Sequence, residues 1–151
     1  MSEITLRTAV PADAPAIREL TRAAYAKWVP LIGREPKPMG ADYEAAVREH
    51  RFDLLSVDGR LAALIETLDE GDQLLIENVA VSPDHQGRGL GRRLLALAEG
   101  LASERGYGRI RLYTNQRFAE NIALYQRVGY RIDREEAVSA GVVTHMSKAL
   151  G

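Results

Sequence analysis

Residues 79–93, VAVSPDHQGRGLGRR, constrain this chain more than any other stretch. An apolar run breaks at Ser82-Pro83-Asp84, and three alternating glycines then lead directly into helical periodicity. Glycine lets backbone N–H groups approach an anion with no Cβ in the way, and a helix N-terminus adds partial positive charge. Arg88, Arg92 and Arg93 add full charges beside Gly87, Gly89 and Gly91. Strand, glycine turn and helix in that order make a cradle for a diphosphate; the plain alternative is a glycine-rich helix start with no ligand. A Walker A loop would need Gly-Lys-Ser/Thr, which does not occur here. A dinucleotide fingerprint wants Gly-x-Gly-x-x-Gly after the first strand and an acidic residue about 20 positions on. Here the glycines are evenly spaced, the strand is the fourth, and position 111 is Arg.

The rest of the chain supplies the frame. Residues 3–8 alternate apolar and polar, as a strand does. Pro11 and Asp13 open a helix that carries Ile17, Leu20, Ala24 and Trp28 on one face. Residues 29–41 contain Pro30, Gly33, Pro36, Pro38 and Gly40 and are expected to be irregular. A connector of that length is often functional. A short helix, 43–50, follows. Strands 52–57 and 61–68 flank Asp58-Gly59, a hairpin signal, and a turn at Glu70-Gly71-Asp72 leads to strand 74–81. Helix 89–105 shows Leu90, Leu94, Leu97, Ala98 and Leu101 on one face and ends at Gly106. Strand 109–114, helix 119–128 (with Glu120 as its expected N-terminal cap and Gly129 closing it) and strands 130–135 and 142–148 complete the chain. This is an α/β domain over residues 3–151: a mixed, mainly antiparallel seven-stranded sheet flanked by about four helices. It turns parallel where strand 74–81 crosses through helix 89–105 to strand 109–114. Ligands favour such crossings, at the carboxyl ends of the strands.

Composition narrows the function. The 151 residues suit one domain, and 20 Lys+Arg against 21 Asp+Glu leave no basic excess for nucleic acid. With no cysteine, thiolate chemistry is excluded. Three histidines without ligand spacing argue against a metal. No apolar run nears the roughly 20 residues of a membrane span, and the N-terminus lacks a signal-peptide core. The expectation is a cytoplasmic protein with neither nucleic-acid nor membrane partners.

Gln86, Gly89 and Gly91 fit the pattern Gln/Arg-x-x-Gly-x-Gly/Ala, and the chain here resembles the acyl-CoA signature of the GNAT N-acetyltransferase superfamily. Residues 121–130, NIALYQRVGY, resemble the family's second signature, a helical tyrosine followed four residues later by Gly-Phe/Tyr. The order of elements is similar to the GNAT fold from end to end. The resemblance implies acetyl-CoA as co-substrate, without a metal, wedged between strands 74–81 and 109–114. It would be held by Val79, Ala80 and Val81 and by the loop Gln86, Gly87, Arg88, Gly89, Leu90, Gly91 and Arg92. Many relatives carry an asparagine seven residues before the tyrosine. This chain has Phe118 there, leaving Asn115 and Asn121 as two candidates for the pantetheine contact.

The activity implied is acetyl transfer to the amine of a small-molecule or amino-acid-like acceptor, by direct attack in a ternary complex. Such chemistry needs no nucleophilic Ser or Cys; a free N–H near Val81 would polarise the carbonyl. Tyr125 is the candidate general acid, with core packing as its alternative role. Glu77 is the candidate base, read as sharing a face with Leu75, Val79 and Val81; burial in an apolar strand can bring its pKa toward use. Its alternatives are a structural ion pair or an anchor for the cationic amine. His85 and His145 read as structural hydrogen-bonders. Trp28, Arg34, Tyr43 and Glu77 are the candidate acceptor residues, with Lys37 beside Arg34: an apolar lining with a few placed charges. The alternative for the 28–43 segment is packing on the sheet or a dimer contact, and the resemblance implies a homodimer. Two other functions stay open: a non-catalytic acyl-CoA sensor, and an acetyltransferase acting on a protein or peptide amine.

Overall fold

The computed structural model describes residues 2–151. In it Asp58 and Gly59 take φ of 51° and 80°, the left-handed pair that a two-residue hairpin requires. They join β2 (Arg51–Val57) to β3 (Arg60–Asp69), and a second turn leads to β4 (Leu74–Val81). These strands form an antiparallel meander, with β1 (Ile4–Thr8) on its outer edge. The chain then crosses through α4 (Leu90–Glu104) to β5 (Arg109–Asn115), which lies parallel to β4. After α5 (Ala119–Val128), β6 (Arg131–Val138) and β7 (Gly141–Ala149) complete a seven-stranded sheet in the order β1-β2-β3-β4-β5-β7-β6.

Each face of the sheet buries one amphipathic helix. α1 (Ala14–Tyr25) lays Ala14, Ile17, Leu20 and Ala24 against Phe52, Leu54, Leu64 and Ala80, with Tyr43 of α3 (Tyr43–Glu49) closing that cluster. On the other face α4 packs Leu90, Leu94, Leu95 and Ala98 against Leu55, Ile65, Leu74, Ile76, Ile110 and Leu112. Gly106 and Gly129 adopt φ of 76° and 110° and end α4 and α5 where the sequence placed those stops.

Three expectations are corrected. The 29–41 segment contains regular structure: a one-turn helix α2 (Val29–Ile32) and a 3-10 turn, Lys37–Gly40. Pro30 and Pro38 sit in the first turns of these pieces, where no N–H is needed, and Gly33 ends α2 at φ 74°. Glu120 does not cap α5. A tight turn, with the Arg117 N–H on Asn115 Oδ1 at 2.9 Å, puts Phe118 at the cap position, where its ring stacks on Trp28 at 4.5 Å. Finally, the strict alternation assumed for β4 fails. Thr67 registers with Ile76 and Glu66 with Asn78, so Glu77 is the extra residue of a β-bulge. The bulge reverses the parity, so that Ile76, Val79 and Val81 all pack toward α4.

Candidate active site

β4 and β5 run in register only from Leu74 opposite Ile110 to Ile76 opposite Leu112. Beyond that point, where the bulge begins, the strands part. A cavity of about 800 Å³ opens here, bordered by Val79, Ala80 and Val81 on one side and by Asn121, Leu124 and Tyr125 of α5 on the other. Its floor is the glycine loop: Gln86, Gly87, Gly89, Leu90, Gly91 and Arg92 all line it. Gly87 and Gly89 hold φ of 79° and 77°, which only glycine adopts freely, while Gln86 Nε2 donates to the Val81 carbonyl at 3.2 Å and ties the loop to its strand. Gly89 is the N-cap of α4 and offers no side chain, so the first N–H groups of the helix stay free for an anion. That donor set fits the pyrophosphate of a coenzyme A. Arg88 is exposed and lies outside the lining.

A second cavity, of about 410 Å³, lies on the α1 and α3 face of the sheet. Neighbouring residues of β4 serve different cavities: Asn78 borders the second and Val79 the first. Tyr25 lines both, its hydroxyl donating to Asn78 Oδ1 at 2.8 Å. Burial pushes that phenol well above the usual tyrosine range. Glu77, turned outward by the bulge, borders the second cavity and accepts from the Tyr113 hydroxyl at 2.7 Å. Burial and this carboxylate together raise the Tyr113 pKa, so Tyr113 stays a donor. Tyr125 is 8% exposed. Burial alone pushes its pKa up to about 12, with no charged or hydrogen-bonding neighbour contributing. It packs edge-on to Tyr130 in the core and also borders the first cavity, so packing and cleft-facing roles coexist.

Other candidates are redistributed. The two asparagines separate, with Asn121 on the first cavity and Asn115 on the second. Trp28, read as an acceptor residue, instead lines the first cavity, beneath Lys27 at 4.9 Å from its ring. Arg34 and Lys37 border the second cavity, and the Arg34 guanidinium donates to the Ala140 carbonyl at 2.8 Å, tying the 33–40 segment to the β6–β7 turn. Tyr43 is buried and donates to the Pro38 carbonyl at 2.6 Å. His145 hydrogen-bonds Glu136, whereas His85 lines the first cavity with Nδ1 buried and unpartnered. Sequence reading missed Tyr25, Asn78, Tyr113, His50 and Glu66. For Glu66 the signal was present, since a carboxylate inside the apolar run 61–68 is as conspicuous as Glu77. Among the described residues no group of His, Asp or Glu is arranged to hold a metal, and no helix is long and apolar enough to cross a membrane.

Comparison with known proteins agrees with this geometry. The model of the acetyltransferase (GNAT) family matches residues 14–130. Streptothricin acetyltransferase of Streptomyces lavendulae is 33% identical over 123 residues, covering 80% of this chain and 60% of that protein. The chain thus matches less than two thirds of that relative's length. The ribosomal-protein-S18-alanine N-acetyltransferase of Escherichia coli superposes with a TM-score of 0.80 at 23% identity, covering 99% of this chain and 95% of that one. The PaiA N-acetyltransferase of Thermoplasma acidophilum, solved in complex with coenzyme A, does so with a TM-score of 0.77 at 17% identity, covering 97% and 99%. With both signatures on one cleft, and a family match spanning most of the chain, this protein belongs to the GNAT acetyltransferase family.

Proposed function

We propose that the chain moves an acetyl group from acetyl-CoA to the amine of a small molecule, in a ternary complex formed across the two cavities. One observation carries this reading: Tyr125 and Glu77 border different cavities that share Tyr25 as a wall, at the place where β4 and β5 part. Acetyl-CoA supplies a thioester whose carbonyl carbon bonds to the amine nitrogen as the carbon–sulfur bond breaks. Glu77, facing the acceptor side, receives the proton that the amine must lose. Tyr125 donates its phenolic proton toward the sulfur, and its raised pKa keeps that proton in place at neutral pH. Backbone N–H groups of β4 beyond Ile76 face the gap left by β5 and polarise the carbonyl. The loop 86–92 and the N-terminus of α4 hold the diphosphate, and Asn121, rather than Asn115, faces the pantetheine arm. The protein acts in the cytoplasm, where its co-substrate is drawn.

The streptothricin-acetylating relative supports a small acceptor. A panel of amines mixed with acetyl-CoA and read by free-thiol release tests the reading. Thiol release that requires the amine, with equimolar acetylated product, is the expected result. Tight acetyl-CoA binding with no release by any small amine or peptide N-terminus would instead make the chain an acyl-CoA sensor.

A further inference from the structure

One charged group of the second cavity has no part in the chemistry above. Glu66, on β3, is 4% exposed, yet it borders the cavity. The His50 ring N–H donates to its Oε2 at 2.6 Å, the one side-chain hydrogen bond that Glu66 forms among the described residues. Burial raises the Glu66 pKa and outweighs the opposing pull of His50. A carboxylate so placed disfavours folding relative to a neutral isostere, and half of its acceptor capacity is left for something else.

The remaining charges of the cavity are committed or peripheral. Asp42 caps α3 through the Ala45 N–H at 3.1 Å, Arg34 is spent on the Ala140 carbonyl, and Lys37 and Glu49 are exposed at the rim. What faces inward is therefore acidic, at two points. Glu66 registers with Asn78, the neighbour of Glu77, so the two carboxylates stand on adjacent strands, which lie about 4.8 Å apart. Two carboxylates bordering one cavity from adjacent strands call for two positive charges on one short acceptor.

We infer that the acceptor is a short-chain diamine, or a molecule that ends in one: the reacting amine meets Glu77, and the second, charged ammonium is held by Glu66 Oε1. This rests on the acetyl-transfer reading and adds the substrate class to it. His50 holds the Glu66 carboxylate in place, and the aromatic wall of Tyr25, Tyr113 and Phe118 encloses the methylenes.

The test uses the intact protein with butylamine, 1,4-diaminobutane and 1,5-diaminopentane, read by thiol release from acetyl-CoA. The diamines are expected to exceed butylamine in kcat/KM by about tenfold or more, with the difference in KM, as for one charge-assisted hydrogen bond. Glu66→Gln is expected to raise the diamine KM about tenfold and leave butylamine unchanged. Its melting temperature should equal or exceed that of the parent, because a buried charge has gone; a merely structural ion pair would lose stability instead. Equal kcat/KM for mono- and diamines in the unaltered protein overturns the inference without any variant. So does a Glu66→Gln protein that loses both kinds of acceptor alike. If no amine is turned over, it is acetyl transfer that fails, and calorimetric titration of the same amines into the CoA-loaded protein decides the subsite separately. Diamine binding about tenfold tighter than butylamine sustains it, and equal binding overturns it.

Discussion

The first cavity draws its floor and one wall from a single run of backbone, residues 79–92, closed by one face of α5 and by residues 24–28. The second is assembled from α1, the 32–50 segment, β3, β4, β5 and the β6–β7 turn, almost wholly through side chains. In the proposed complex, one recognises its ligand with N–H groups that every residue owns, fixed by a few left-handed glycines. The other recognises with groups that single substitutions can exchange. A common co-substrate and a variable acceptor require that division, since backbone geometry tolerates little change and side-chain walls tolerate much.

The largest expected effect lies on the α5 wall of the first cavity. Tyr125→Phe should lower kcat by about a hundredfold, within the usual range for a lost general acid, and leave the KM for acetyl-CoA nearly unchanged. A phenol at about 12 stays protonated below that pH, so loss of the Tyr125 proton should leave kcat flat up to about pH 10. Unchanged kcat in the variant returns the ring to packing against Tyr130 alone. Next comes the backbone cradle. Gly89→Val forces a β-branched residue into φ 77°, although its Cβ would meet no neighbour within 4 Å. Strain of about 1–2 kcal/mol and a lost anion contact of similar size should weaken acetyl-CoA binding about a hundredfold by calorimetry. Normal affinity would mean that backbone shape is not what holds the diphosphate.

Smaller effects separate the cavities. Arg34→Ala removes one exposed hydrogen bond to Ala140 and should raise the acceptor KM about threefold, with the acetyl-CoA KM unchanged. If acetyl-CoA kinetics move instead, the 33–40 segment serves the wrong cavity. Smallest is Gly91→Ala, within the same loop as Gly89. Gly91 is helical, and an added Cβ would lie 3.8 Å from Leu124 and Val81, an ordinary contact. A gain of about 0.5 kcal/mol in stability, with acetyl-CoA affinity held within about twofold, is expected from melting and titration curves. A large loss would show that freedom from side chains, rather than φ, sets the cradle.

The same contrast explains what was legible in the sequence. Elements governed by local rules were readable: the Asp58-Gly59 hairpin, the helix stops at Gly106 and Gly129, and the run from β4 into α4. Features settled by distant partners were not. The bulge at Glu77 arises from registration against β3, and period-two reading runs straight through it. Phe118 fills a cap position because Trp28, from another element, stacks on its ring. Asn115 and Asn121 look alike as letters, yet the turn between them sends one to each cavity. Prolines in the 29–41 segment suggested irregular chain, although Pro30 and Pro38 sit where a first helical turn accepts them and Pro36 precedes one.

The parting of β4 from β5 also bears on how the molecule comes undone. Short backbone pairing from Leu74 to Ile76 laces the four-stranded half of the sheet to the three-stranded half, helped by the α4 cover and by side-chain bonds such as Tyr113 to Glu77 and Arg111 to Glu70. Ladder hydrogen bonds there are the fewest at any seam, so the sheet should breathe along this line before either half melts. Amide exchange at residues 74–76 and 110–112 would outpace exchange in β2 and β3. An occupant bridging the gap acts as a missing rung that binds only the closed form, so it slows that opening in proportion to its concentration over its dissociation constant. On the proposed assignment, the opening that admits the co-substrate is thus also the fault line that the co-substrate mends.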